Sequence, residues 1–186
     1  LRVADSRDTP PGVERLRAEA PAAEIVTGPF AETLLDGVGR LAISPGLDPR
    51  QPLVQAAHAR GIPVVGEMDL FVQALADLGV RDTARLIAIT GTNGKTTTTT
   101  LVGEMLRGVG LDGVVAGNIS PAALDVIMER QDAGRPLPQA WALELSSFQL
   151  ETGPALDAAS ATVLNVTDDH LDRYAGLDDY AATKAA

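Results

Sequence analysis

The sequence predicts an α/β fold built of two units with parallel sheets, the second carrying a phosphate-binding loop. Three observations carry this prediction. Short runs of branched apolar residues alternate with stretches of helical spacing along the whole chain. One run, residues 85–90, passes through a turn bracketed by Gly91 and Gly94 into a stretch where Leu101, Val102, Met105 and Leu106 recur at helical spacing. The 186 residues are 45% hydrophobic but only 3% aromatic, so Ala, Val and Leu must build the core of one large or two small domains.

In chain order, Val3 and Ala4 end a strand, and residues 5–12, with two prolines and a glycine, form the loop after it. Residues 13–19 read as a helix, 23–26 as a strand and 31–35 as one or two helical turns. Residues 40–43 form a strand that ends in the turn Ser44-Pro45-Gly46. In an open α/β sheet that end of a strand is where ligands bind. Residues 52–60 form a helix stopped by Gly61, 62–65 a strand, 70–78 a helix, and 79–84 a linker. After the glycine loop and its helix come a strand at 113–116, a turn at 117–121 and a helix at 122–129. A polar loop at 131–138 and strands at 140–145 and 161–166 follow. Alternation of this kind implies parallel sheets covered on both faces. The chain starts as though inside a strand and ends inside a helical pattern, which suggests a piece trimmed at both ends.

Composition excludes several classes. The net charge of −10 disfavours a nucleic-acid partner, since phosphate affinity needs a basic surface. Cysteine is absent, so there is neither a disulfide framework nor a thiolate metal site. No apolar stretch approaches the roughly 18 residues of a membrane span.

The chemistry centres on Gly91-Thr-Asn-Gly-Lys-Thr96. Glycines let the backbone approach an anion, and the first N–H groups of the following helix point at it. Lys95 supplies a point charge for the outer phosphates, and the Thr96 hydroxyl is placed to ligate Mg²⁺. The pattern is shortened, with Ile89 where the usual first glycine stands. The alternative is an ordinary strand-to-helix turn with a surface lysine. Glu144 closes a strand that begins near Trp141, where a carboxylate can hold Mg²⁺ or order a water; a solvent-facing strand end is the competing reading. His170 lies among Asp168, Asp169 and Asp172, whose charges favour imidazolium over the neutral form a metal needs. The residues alone favour an exposed loop histidine there, a solvated helix lysine at Lys184, and a capped polar turn at Asp5-Ser6-Arg7.

Gly91-Thr-Asn-Gly-Lys-Thr-Thr97, Gly117-Asn-Ile119, Glu144-Leu-Ser-Ser-Phe-Gln-Leu-Glu151 and Leu164-Asn-Val-Thr-Asp-Asp-His-Leu-Asp-Arg-Tyr174 resemble the Mur ligases, cytoplasmic ATP-dependent amide-forming ligases of bacterial peptidoglycan precursors. The loop is shared with the folate-ligase relatives. The two later runs are narrower and are similar to members that add D-glutamate. The resemblance implies two Rossmann-like units, an incomplete UDP-binding domain over residues 1–80 and an ATP-binding P-loop ATPase domain over 81–186. It implies a cytoplasmic monomer whose substrates are UDP-N-acetylmuramoyl-L-alanine and D-glutamate, with ATP and Mg²⁺ as cofactors. ATP phosphates would lie on Gly91, Thr92, Asn93, Gly94, Lys95, Thr96 and Thr97. Thr96 and Glu144 would hold one Mg²⁺, and His170 with a carbamylated Lys184 a second; Lys95, Glu144, His170 and Lys184 form the catalytic set. Asp5, Ser6, Arg7, Ser44, Pro45, Gly46, Asn118 and Ser146 would bind the UDP-linked substrate. Against the family pattern, the first strand and its glycine turn are missing before Leu1 and the third domain after Ala186, and Ser120 stands where glycine is expected. A folylpolyglutamate-synthase-like ligase, a nucleotide-binding module without ligase activity, and a simple P-loop kinase are the competing readings. The kinase is disfavoured by the alternation that precedes the loop.

Overall fold

The computed structural model of the protein describes residues 1–153, 156–169 and 172–185. Its elements run β1 (Arg2–Asp5), α1 (Val13–Glu19), β2 (Glu24–Thr27), a 3-10 turn (Glu32–Leu35), β3 (Leu41–Ala42), α2 (Pro52–Ala59), β4 (Val64–Val65) and α3 (Glu67–Asp77). They continue with β5 (Arg85–Thr90), α4 (Lys95–Gly108), β6 (Gly113–Gly117), α5 (Ala123–Asp132), β7 (Ala140–Glu144), α6 (Ser147–Thr152), β8 (Ser160–Val163) and α7 (Leu177–Ala185). The chain divides into two compact units, residues 1–41 with 49–64, and residues 42–48 with 65–186.

In the first unit β1 and β2 pair in parallel, Arg2 opposite Glu24 and Asp5 opposite Thr27. The Arg2 guanidinium fastens the start of this pair, with Nε donating to Glu24 Oε2 at 2.8 Å and Nη1 to Leu34 O at 2.7 Å. Pro52, without an N–H to satisfy, opens α2. Leu53 and Ala57 of that helix pack with Leu35 and Ile62 into a small core. The four short strands of the first half pair two by two, β1 with β2 and β3 with β4.

α3 belongs with the second unit, because its apolar stripe of Met68, Phe71 and Leu75 is buried in one cluster with Trp141 and Leu143. The expected linker at 79–84 is a tight turn in that unit, with the Val80 and Ala84 N–H groups donating to Leu75 O and Val80 O.

The second unit is built on a four-stranded parallel sheet in the order β6-β7-β5-β8. β7 is buried along its whole length. Its side chains alternate between faces. Trp141 and Leu143 join Phe71, Val126 and Ile127 in the core beneath α3 and α5. Ala140, Ala142 and Glu144 fall on the opposite face, where small side chains let α4 come close. Register then sets the site. Glu144 sits opposite Ile89 of β5 on one side and Gly117 of β6 on the other, so three strand ends open together. Gly117 has φ +111, and a Cβ there would lie 2.3 Å from Glu144 O, so only glycine lets β6 end against β7 here.

Trp141, the single tryptophan, is fully buried, sits edge-on to Phe71 with centroids 4.9 Å apart, and donates Nε1–H to Pro138 O at 3.1 Å. Trp141→Ala is expected to cost about 3–5 kcal/mol of stability, read as a lower urea midpoint by circular dichroism.

Candidate active site

The loop between β5 and α4 is held in shape from both sides. Gly91 has φ +149, and a Cβ there would lie 3.1 Å from Leu164 Cβ and 3.3 Å from the Asn165 backbone. That close approach explains the first glycine. Gly94 is the N-cap of α4, and no side chain caps the helix. Its first-turn N–H groups are thus left for an anion, at the positive end of the helix dipole. Lys95 folds back over the loop, Nζ donating to Gly91 O and Thr92 O, each at 2.9 Å. An ammonium has three protons, so a third donor remains for a ligand.

At the second residue of α4, the Thr96 hydroxyl donates to Glu144 Oε2 at 2.8 Å. The other carboxylate oxygen, Oε1, accepts from Asn118 Nδ2 at 2.9 Å. Glu144 is 2% exposed, so the solvent-facing reading of this strand end does not hold. The trio Thr96–Glu144–Asn118 gathers residues from α4, β7 and the turn after β6, and parallel register brings them together. Asn118, expected at the muramoyl substrate, lies against this carboxylate. A hydroxyl and a carboxylate are the hard oxygen donors that suit Mg²⁺, which keeps several waters and needs one or two protein carboxylates. The residues present therefore fit a magnesium nucleotide. Among the described residues no group of three or more His, Asp or Glu side chains forms a metal cluster.

Lys184 is 4% exposed and is not the solvated helix lysine that the residues alone favoured. Its Nζ donates to Gly91 O at 3.0 Å and to Thr90 Oγ1 at 3.4 Å, and lies 4.6 Å from the centre of the Tyr180 ring. The Lys184 ammonium thus reaches the base of the loop, while Glu144 is engaged by Thr96 and Asn118. Burial lowers the Lys184 pKa below its ordinary 10.5, and the charge of Asp169 partly opposes this. A depressed folded-state value means that the folded chain binds fewer protons than the unfolded one between the two values. Stability contributed by Lys184 therefore rises with pH through that window and is lowest beneath it. Lys184→Met is expected to compare more favourably with the parent at neutral pH than at pH above 10.5, checked by urea unfolding at both. The expected role of His170 lies outside the described residues.

The remaining expected residues are spread out. In the first unit, Asp5 accepts from Arg7 Nε at 2.8 Å and Nη2 at 2.6 Å, and the guanidinium holds its carboxyl down at about 2. Ser6 is exposed beside them. Ser44, Pro45 and Gly46 form a turn closed by Leu47 N–H donating to Ser44 O at 2.9 Å, in the segment grouped with the second unit. Ser146 caps α6, its hydroxyl accepting from Gln149 N at 3.2 Å. Thr97 is an exposed residue of the first turn of α4. Sequence reasoning missed Asn165, Thr167 and Tyr180, which bind the loop from the far side. Thr92 Oγ1 meets Tyr180 Oη at 3.2 Å and accepts from Thr167 N at 3.0 Å. Their proximity to the narrow run at 164–174 was the available signal.

Residues 89–186 match the Mur ligase middle domain, and residues 1–66 match the Mur ligase MurD-like N-terminal domain. The chain belongs to the Mur ligase family. It is 64% identical over 186 residues to the UDP-N-acetylmuramoylalanine–D-glutamate ligase of Aromatoleum aromaticum, covering 100% of this chain and 40% of that protein. It is 51% identical over 185 residues to the enzyme of that name from Nitrosomonas europaea, covering 100% of this chain and 39% of that one. The chain thus spans about two fifths of the length of these relatives. Among solved structures, the UDP-N-acetylmuramate:L-alanyl-gamma-D-glutamyl-meso-diaminopimelate ligase from Neisseria meningitides aligns at a TM-score of 0.56 and 17% identity, over 98% of this chain and 57% of that one. That likeness supports the Mur ligase fold. No helix among the described residues is long and apolar enough to cross a membrane.

Proposed function

We propose that this Mur ligase chain serves ATP-dependent addition of D-glutamate to UDP-N-acetylmuramoyl-L-alanine, in peptidoglycan precursor synthesis. The observation that carries the reading is the Thr96–Glu144–Asn118 trio at the head of the loop helix, where an anion-binding helix start and a buried carboxylate share one opening. The relatives named for this reaction match over the whole of this chain. In this reading residues 1–80 contribute the UDP-binding part, through Asp5, Ser6, Arg7, Ser44, Pro45 and Gly46, and residues 81–186 the ATP-binding part. The protein works as a monomer in the cytoplasm.

In the reaction, an oxygen of the substrate carboxylate attacks the γ-phosphorus of ATP, ADP leaves, and an acyl phosphate results. The amine of D-glutamate then attacks its carbonyl carbon, phosphate leaves, and the amide forms. The loop N–H groups and Lys95 hold the phosphates in line and stabilise charge as it moves. Thr96 and Glu144 would hold Mg²⁺, which offsets the repulsion between an anionic carboxylate and the anionic phosphate. His170 and a carbamylated Lys184 would complete a second metal position, as the resemblance implies. Asn118 keeps the Glu144 carboxylate oriented.

The test supplies the full-length protein with ATP, Mg²⁺, UDP-N-acetylmuramoyl-L-alanine and D-glutamate. Phosphate release that requires both substrates is expected. Release that requires a pteroyl substrate instead would transfer the protein to the folate-ligase reading. ATP binding with no release under either condition would leave a nucleotide-binding module.

A further inference from the structure

The phosphate loop is gripped by a side chain 72 residues away in sequence. Asn165, just after β8, turns its carboxamide onto the backbone of Asn93. Its Oδ1 accepts from Asn93 N–H at 2.9 Å, and its Nδ2 donates to Asn93 O, also at 2.9 Å. One side chain thus satisfies both polar groups of one loop residue, as a neighbouring strand would. The Asn165 carbonyl also accepts from Thr92 N at 2.9 Å, so the same residue holds two successive loop positions. The peptide between Asn93 and Gly94 is planar and trans, with its N–H antiparallel to its C=O. Holding the Asn93 carbonyl against Asn165 therefore aims the Gly94 N–H away from Asn165, leaving it for an anion at the start of α4.

We propose that Asn165 is a positioning residue for nucleotide binding: by fixing the Asn93 peptide it presets the loop for phosphate. This rests on the phosphate-loop reading above. A loop preset in this way gives up less conformational freedom when the anion arrives. The same contact links the loop to the segment that runs through Thr167 and Asp169, so phosphate binding and the order of that segment support each other. Asn165 lies at the surface, so shortening it opens no internal cavity.

The experiment compares Asn165→Ala, Asn165→Asp and Lys95→Ala in the full-length protein. Two ordinary hydrogen bonds are lost in N165A, so the KM for ATP is expected to rise about tenfold. The KM values for the other substrates should stay in place, and the melting temperature without nucleotide should fall only slightly, since water replaces both lost partners of the exposed Asn93 backbone. The upward shift in melting temperature given by a non-hydrolysable ATP analogue should shrink in parallel. N165D keeps the shape and the acceptor for Asn93 N–H, but loses the donor to Asn93 O and adds negative charge, so its loss should exceed that of N165A. Unchanged ATP KM and analogue shift in N165A, with K95A losing both, would overturn the proposal alone. An unaffected K95A would overturn the phosphate-loop reading beneath it. A rise in all KM values together, or loss of the fold in both Asn165 variants, would make Asn165 structural and overturn the proposal as well.

Discussion

Lys95→Ala is expected to weaken binding of ATP·Mg by about 1.5–3 kcal/mol, the worth of a hydrogen bond to a charged group, which is one to two orders of magnitude in affinity. Two losses contribute. One is the ammonium charge, whose third proton is available to the outer phosphates. The other is loop shape, since the same Nζ ties Gly91 O to Thr92 O. The two are separable. Lys95→Arg keeps the charge but replaces a compact ammonium with a planar fork that fits two carbonyls differently. If charge dominates, K95R retains much of the affinity that K95A loses. Isothermal calorimetry with a non-hydrolysable analogue measures both. An ATP affinity unchanged in K95A would remove the loop from the nucleotide site.

The second large effect is expected at Glu144. Glu144→Gln preserves the shape of the side chain and an oxygen to accept from Thr96 or Asn118, but removes the charge. Turnover should fall at least about 10²-fold, because several kcal/mol of charge stabilisation at the transferring phosphate depend on a correctly held metal. The Mg²⁺ concentration for half-maximal rate should rise at the same time. Stability should change little in E144Q and more in E144A, which leaves the Asn118 amide and the Thr96 hydroxyl without their acceptor. Full activity of E144Q at low Mg²⁺ would show that this carboxylate does not serve the metal.

Several features needed nothing beyond local sequence. The strand at 85–90, its glycine loop and the helix after it are specified by neighbours within about four residues, through branched apolar residues, a tight turn and helical spacing. The structure places the strand at the expected residues and starts the helix at Lys95. The helix α6 was legible too, in the Ser146 to Gln149 capping pair, but no helix was assigned there from the sequence. Pairing of β5 in parallel with β7 and β8 puts the ends of these three strands on one side of the sheet.

What the sequence by itself determined was therefore the kind of layers, the phosphate-loop chemistry and the family resemblance, all carried by short-range pattern. What only the tertiary structure decided was which side chains are buried and which partners they meet. Lys184 looks like any helix lysine until α7 packs it against the loop carbonyl of Gly91. Glu144 was evenly balanced between solvent and site until β6 and β5 closed on both sides of β7. α3 joins the second unit because its apolar stripe meets Trp141, a partner some 70 positions on in the sequence. Asn165 binds Asn93 across a separation of 72 residues. Periodicity and spacing report the backbone around a residue. Burial and hydrogen bonding depend on chain segments brought close by folding, and no local pattern records which segment arrives.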